Sequence, residues 1–489
     1  MKRLGLMLLL AGCQAVTLGD SGAQKPTPQP LAARVLIGAE GLTRIYEVEA
    51  PDGFALDAAV RVVPATSSQW EIGPVSTTIP VASRTGAFDV DRFRVTNEFR
   101  NVSLVVPVRV RTAEDLEICR FQVQMASATL DSAVEATIDT GVVLAASGQP
   151  AATTSAATVT KVGPCAVDGT ARSSSSQTLA SLIETYTRDA LLASGAQNLT
   201  VRPFEVTGIL DDSVSLRRVS VFDNRRGGFA VTQRSNNVTL ASDGLSAELG
   251  IGMIAQRATC APPIEVNPAQ PSATEPISPA ELEAANADLA LAVSAPTLQQ
   301  MAETLALSGF LCQGLEDSRR PEDNAELIAV DDIGLDALGL DWLSVGPWVR
   351  ASSAPGALPS LILRPQTNDF VISWRDFVID VYADVQGTNV RILRLVTTAQ
   401  ATLRPQVGEV GQISTTIDAL NITSADLTSD WLTAPLGPDI VLPWAKRAVL
   451  LFLQDQFVFP LPLVSPHAMR VRNVTVRDQD VAVFLDIEN

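Results

Sequence analysis

Apolar and polar positions alternate with a period of two through much of residues 31–170. Leu104, Val106, Val108 and Val110 stand against Ser103, Pro107 and Arg109. Cys119, Phe121, Val123 and Met125 stand against Arg120, Gln122 and Gln124. This pattern predicts half-buried antiparallel strands. The stretch 31–64 reads as strand and turn, punctuated by Pro51 and Gly53. After Ser173–Ser176 the period changes. Leu179, Leu182, Ile183, Tyr186 and Ala190 share one helical face, and Gly195 supplies a stop. Strands return over about 199–257.

Residues 261–279 break the pattern with Pro262, Pro263, Pro268, Pro271, Pro276 and Pro279 and few apolar residues. Such a segment predicts a linker and a domain boundary. Ser278-Pro279-Ala280-Glu281 has the form of a capping box opening a short helix. A second helix is predicted from Ser294, with Pro296 in its first turn and an apolar stripe of Leu298, Met301, Ala302 and Leu305, ending at Gly309. After a region with several Asp, Gly and Pro (313–357), Phe377, Ile379, Val381, Ala383 and Val385 line a long strand. Gln386-Gly387-Thr388-Asn389 turns it, Arg391 to Arg404 returns, and another strand runs through Ile413, Thr415 and Ile417. A helix is predicted to open at Pro443 and run to Gln456. Its middle is apolar almost all round, so it needs apolar partners on nearly every side. Met469–Arg477 and Val481–Ile487 close the chain as strands, with Asp478-Gln479-Asp480 turning between them.

The first residues carry a different signal. Met1-Lys2-Arg3 is positive, Leu4 to Leu10 is apolar, and Leu10-Ala11-Gly12-Cys13 follows. This order predicts a secretory leader over 1–12. The cysteine after two small residues resembles the lipobox of bacterial lipoproteins, which implies lipid on Cys13. The apolar run is too short to span a bilayer, which takes roughly 20 residues. Residues 13–30 read as a lipidated flexible tether, rich in Gly, Ser, Gln and Pro. Gln14 in place of Asp resembles the sorting pattern for the outer membrane of the cell envelope.

At 489 residues the chain can bury a large core. Its formal net charge of −18 argues against nucleic acid and against electrostatic docking on anionic lipid. Apart from Cys13, the cysteines are Cys119, Cys165, Cys260 and Cys312. An even number in an exported chain suggests two disulfides. Three pairings are open; the sequential one, Cys119–Cys165 and Cys260–Cys312, closes two moderate loops. Free or metal-bound thiols are the alternative, but there is no CxxC, and His467 is the one histidine. No metal site and no cofactor are therefore expected. The sequence has no GxSxG elbow, HExxH or phosphate-cradling glycine loop, and a single histidine disfavours a Ser–His–Asp triad. No catalytic residue is assigned and no enzyme activity is expected.

The late elements resemble the C-terminal domain of the bactericidal/permeability-increasing protein family, the two-domain tubular lipid-binding (TULIP) proteins. In that family a long apolar helix runs into a Phe-Pro-Leu-Pro turn, then a strand, a short polar turn and a final strand. Here these are Pro443–Gln456, Phe459–Pro462, Met469–Arg477 and Val481–Ile487. Asp288–Val293, the helix from Ser294 to Ser308-Gly309-Phe310, and Leu358–Leu363 resemble the start of the same domain. The resemblance spans roughly Ser278 to Glu488. It implies an α+β fold of two tandem TULIP-like domains, each a strongly curved antiparallel sheet wrapped around a long apolar helix. The boundaries would be 31–258 for a divergent first domain, 259–279 for the linker and 280–489 for the second domain. Cys119 and Cys165 have about the separation of the family's single disulfide. The first domain here lacks the family's long opening helix. The acidic chain also has no counterpart to the cationic tip that serves lipopolysaccharide binding in the bactericidal member.

The resemblance implies a lipid or another hydrophobic small molecule held in an apolar groove, and lipid transport by a membrane-tethered protein. Acyl burial is worth about 0.8 kcal/mol per methylene, so affinity needs no charged anchor. The groove-lining candidates are Leu298, Met301 and Leu305 on one helix and Trp444, Val449 and Phe452 on the other. The alternative is a structural or partner-binding envelope lipoprotein with a filled core. No protein partner is identifiable.

Overall fold

The computed structural model describes residues 29–49, 53–89, 92–113, 115–138, 141–195, 200–204, 212–217, 226–258, 260–264, 274–309, 311–312, 326–340, 342, 348–407, 413–432, 434–453 and 468–488. The leader, Cys13, most of the tether, the Phe459–Pro462 turn and His467 lie outside the described residues.

The first half begins with β1 (Gln29–Ile37), α1 (Ala39–Glu49), β2 (Gly53–Ala58), β3 (Arg61–Pro64), β4 (Gln69–Ile72), β5 (Val75–Pro80) and β6 (Ser83–Asp89). It continues with β7 (Arg92–Arg111), β8 (Leu116–Ile138), β9 (Val142–Thr154), β10 (Thr158–Val162), α2 (Leu179–Gly195), β11 (Val201–Phe204), β12 (Asp212–Arg217), β13 (Arg226–Ala241) and β14 (Gly244–Gln256). The second half holds α3 (Pro279–Ala284), β15 (Leu289–Ser294), α4 (Ala295–Leu307), β16 (Glu326–Ala329), α5 (Val330–Ile333), β17 (Trp348–Pro355) and β18 (Ser360–Arg364). Then come β19 (Asp369–Val385), β20 (Thr388–Val407), β21 (Ile413–Thr428), α6 (Pro438–Leu453), β22 (Met469–Val476) and β23 (Asp480–Ile487).

Among the described residues, three curled antiparallel sheets and a two-stranded β2-β5 pair carry the molecule. One runs β11-β9-β8-β7-β4-β3, with β10 on β8 and β6 on β7. Another runs β16-β17-β19-β20-β21, with β18 on β19. Between them in composition is a seven-stranded sheet, β12-β13-β14-β1-β15-β23-β22, which draws strands from both sides of the 259–279 segment. In this sheet every residue of β15 and of β23 is buried. Their near-continuous apolar runs reflect cover on both faces. One face meets the largest apolar cluster; the other is capped by Ile277 and by Leu282 of α3.

The long hairpins bend at single left-handed residues. At Asn101 (φ 51°) in β7, the buried parity changes from Phe93, Val95, Asn97 and Phe99 to Val102, Leu104, Val106 and Val108. Opposite, β8 changes from Cys119, Phe121, Val123 and Met125 to Ala128, Leu130, Ser132 and Val134. Register is kept across the switch, from Arg100↔Ser127 to Val102↔Met125. Asp376 (φ 51°) does the same for β19, where pairing slips between Trp374 and Phe377. Asn and Asp tolerate this conformation because their short polar side chains bond locally. The kink lets a strand of about twenty residues keep one face inward while it curls.

Several expectations are met. The sequential disulfides form, with Cα–Cα distances of 5.4 Å for Cys119–Cys165 and 6.2 Å for Cys260–Cys312. The capping box at Ser278/Glu281 is complete. The 385–388 hairpin turns through Gln386 (φ 56°) and Gly387 (φ 81°), the two positive φ values of a tight turn that matches strand twist.

Three local readings are corrected. The stretch 31–64 contains helix α1, with Leu42, Ile45 and Tyr46 buried at helical spacing. Gly41, Thr43, Ile45 and Val48 are weak helix formers and hide it. Gly41 is required by packing: a Cβ there would lie 2.3 Å from the Asp288 carbonyl oxygen. The tether ends earlier than residue 30, since Gln29 and Pro30 belong to β1. The late helix begins at Pro438, and Pro443 lies inside it on the exposed side. That helix is not enclosed on nearly every side either. Val441, Trp444, Ala445, Ala448, Val449, Phe452 and Leu453 form a buried stripe, while Lys446 and Arg447 are exposed and Ile440 and Leu442 are each 37% exposed.

Candidate ligand-binding interior

Helix α4 starts where Ser294 caps it, its side chain accepting the Thr297 amide at 3.3 Å, with Pro296 in the first turn. Thr297 Oγ1 donates to the Ala32 carbonyl at 3.1 Å, tying α4 to β1. Gln299 clasps the neighbouring strand: its Nε2 donates to the Pro359 carbonyl at 2.8 Å and its Oε1 accepts the Leu361 amide at 2.6 Å. These bonds fix the rotation of the helix, and Leu298, Met301 and Leu305 are buried. Gly309 (φ 88°) leads the chain out toward Cys312, whose bridge to Cys260 holds this end.

Helix α6 packs on β20 and β21 and against α5. Arg447 sets its rotation from outside. Its Nε donates to the Asp332 carbonyl at 2.8 Å and its Nη2 to the Asp331 carbonyl, the last turns of a segment closed by Gly334 (φ 70°). Trp444, Val449 and Phe452 are buried on the opposite side. All six sequence-selected side chains therefore face inward. The structure brings them into one apolar cluster, shared with β1, β14, β15, β23 and the concave faces of β17, β19 and β20. A second cluster in the first half surrounds α2.

The same two helices, α4 and α6, also carry buried polar atoms. Gln300 Oε1 and Thr304 Oγ1 sit one turn apart on α4, and Trp444 Nε1 lies on α6; each is buried without a hydrogen-bond partner. The sequence reading chose the apolar positions of these helices and passed over Gln300 and Thr304. Spacing gave no signal for them, since Gln299 and Glu303 form an adjacent polar pair at the same i, i+4 spacing.

Ionisable groups lie at the margins. Burial pushes the Glu303 carboxyl up, partly offset by the Gln299 amide at 2.6 Å. Burial likewise raises Asp380, against Arg394 and Arg391 at 3.9 and 3.8 Å. Asp288 is raised by burial although the Ile487 amide and Arg44 both bond it at 2.9 Å. Among the described residues, Glu117, Cys119 and Cys165 bring metal-type donors together. Both sulfurs are consumed in the disulfide and Glu117 accepts the Ala166 amide, so the trio does not fit a metal ion. Among the described residues no helix is long and apolar enough to cross a membrane.

No protein-family model and no curated protein matches the sequence. Solved structures do align with the chain. The crystal structure of lipopolysaccharide binding protein aligns over 95% of this chain and 99% of its own, with 12% identity and a TM-score of 0.43. P47 from Clostridium botulinum A2 aligns over 94% and 97%, with 9% identity and a TM-score of 0.28.

Proposed function

We propose that this chain is a cell-envelope lipoprotein that binds lipid or another hydrophobic ligand in its apolar interior. Lipid on Cys13 would tether it, most simply at the outer membrane, and the protein would be a carrier with no catalytic residue. The observation that carries the ligand reading is the set of unpartnered atoms Gln300 Oε1, Thr304 Oγ1 and Trp444 Nε1 on the two helices that also bear the apolar candidates. Each buried polar atom left unmet costs about 1–3 kcal/mol, so a guest that met these three would be favoured by that order. A guest with apolar chains and a few polar atoms would meet both needs. The curled antiparallel sheets, with their apolar faces turned inward, supply the container.

Solvent extraction of the purified chain followed by lipid mass spectrometry tests this directly, together with uptake of a fluorescent fatty acid. Co-purifying lipid, and uptake weakened by Met301→Trp, are expected. A chain that carries no lipid and takes none up defeats the carrier reading. A second reading, a filled-core scaffold or partner-binding lipoprotein, draws support from the burial of all six candidates in a single packed cluster. It predicts that Met301→Trp destabilises the fold and that no probe enters. Metabolic labelling with palmitate, lost in Cys13→Ser, tests the tether separately.

A further inference from the structure

The buried face of the first-half sheet carries further orphaned polar groups far in sequence from α4 and α6, among them one on β7 and one on β8. Asn97 on β7 is 1% exposed and Ser132 on β8 is 2% exposed. Neither Asn97 Nδ2 nor Ser132 Oγ has a partner. Pairing of Val95 with Ser132 and of Asn97 with Leu130 makes the two residues diagonal neighbours on the inward face. The amide is oriented. Arg84, the cross-strand partner of Asn97 on β6, donates from Nε to Asn97 Oδ1 at 3.1 Å. Arginine has only donors, so the oxygen must face it and the NH2 must be turned the other way. Asn97 thus holds a fixed, unused donor beside an unused hydroxyl.

The surroundings are split. Phe93, Val95 and Val134 on one side belong to the large apolar cluster, and Phe99, Ala128 and Leu130 on the other belong to the cluster around α2. The two polar groups form a narrow band between greasy regions. The ladder also opens beside Ser132. Asp131 pairs with Ala151 and Ala133 with Ser147, which leaves residues 148–150 of β9 without partners across from it. Bulges of this kind often sit next to binding sites.

The geometry points to a recognition site for a neutral carbonyl on an acyl chain, an ester oxygen accepting from Asn97 Nδ2 and Ser132 Oγ while hydrocarbon runs into the apolar regions on either side. The two donors left unmet, Asn97 Nδ2 and Ser132 Oγ, are neutral dipoles, and the Arg84 charge beside them is already turned to Asn97 Oδ1. They match a neutral acceptor, whereas an ionised head group would bring a desolvation cost that dipoles alone repay poorly. This inference rests on the lipid-binding reading and assigns the chemistry of the guest.

The test uses the full-length purified chain and two fluorescent probes, a diacylglycerol and its dialkyl-ether counterpart with the same chain lengths. The ester should bind about tenfold tighter than the ether, the loss expected when a buried donor is left unmet. Asn97→Asp keeps the acceptor for Arg84 and removes the inward donor; Ser132→Ala removes the hydroxyl with little change in volume. Each should bring the ester-to-ether ratio close to one, with near-UV circular dichroism confirming the fold. Equal binding of ester and ether by the parent chain, or a ratio untouched by both variants, overturns the carbonyl site and leaves the carrier reading standing. A crystal structure of the ester-loaded chain with only an ordered water between Asn97 and Ser132 overturns it too. Failure of both probes to bind overturns this site, while the carrier reading is decided by the lipid extraction and fatty-acid uptake.

Discussion

Thr304 is buried completely, yet its hydroxyl bonds to nothing. Replacing an unmet hydroxyl by a methyl of the same shape removes a desolvation cost. Thr304→Val should therefore raise the melting temperature of the ligand-free chain by a few degrees and weaken ligand uptake. A melting temperature that falls would mean that the hydroxyl contributes to the resting fold. Asp288 behaves in the opposite sense to a surface carboxylate. Burial raises its pKa above the unfolded value, so its contribution to stability is fully present at low pH and fades as pH rises through the folded value. Relative to Asp288→Asn, which carries no titratable group, the parent chain should gain stability as pH falls from 7 toward 4. Paired thermal melts across that range measure it, and parallel curves would contradict the assignment. Glu281 adds the reverse trend. Its pKa is lowered chiefly by the Ser278 amide, so its stabilisation is lost as pH falls through the folded value.

Elements differ in how plainly their residues announce them. The 385–388 hairpin, the Ser278 and Ser294 caps and the alternating strands were legible because each rests on local chemistry: a turn that needs positive φ, a hydroxyl that meets an amide, a face that meets a core. Helix α1 was not, because Leu42, Ile45 and Tyr46 are held by packing against distant strands, and local propensity points elsewhere. The start of α6 was missed for a related reason. Proline usually marks a first turn, but Pro443 stands on an exposed face, where the hydrogen bond it forfeits is open to water. Of the interior, the apolar half could be read from helical spacing; the orphaned polar half depends on what fails to approach, which no spacing encodes. The Cys260–Cys312 bridge is also an element-scale device, joining the segment after β14 to the end of α4. Its 52-residue separation corresponds to roughly 4 kcal/mol of lost unfolded-state freedom. The Cys260→Ser/Cys312→Ser double variant should melt well below the parent and match the parent under reducing agent only if Cys119–Cys165 resists reduction. Thiol counting alongside calorimetry separates the two.

On the scale of the whole molecule, the seven-stranded sheet joins what the proline-rich segment divides. Arg477 and the fully buried Asp480 in the last hairpin bond each other at 2.6 Å. They also hold the end of that segment, through the Glu275 carbonyl at 2.9 Å and the Glu275 amide. Strand β1 goes further. It lies between β14 and β15, and Arg34 meets Glu248 across 214 residues of chain. This first described strand must wait for partners made much later, and such distant pairing is slow to form. Until those arrive, its backbone has no permanent place in the sheet. Refolding in a test tube should show a late step in which the amides of β1 become protected from hydrogen exchange together with those of both neighbours.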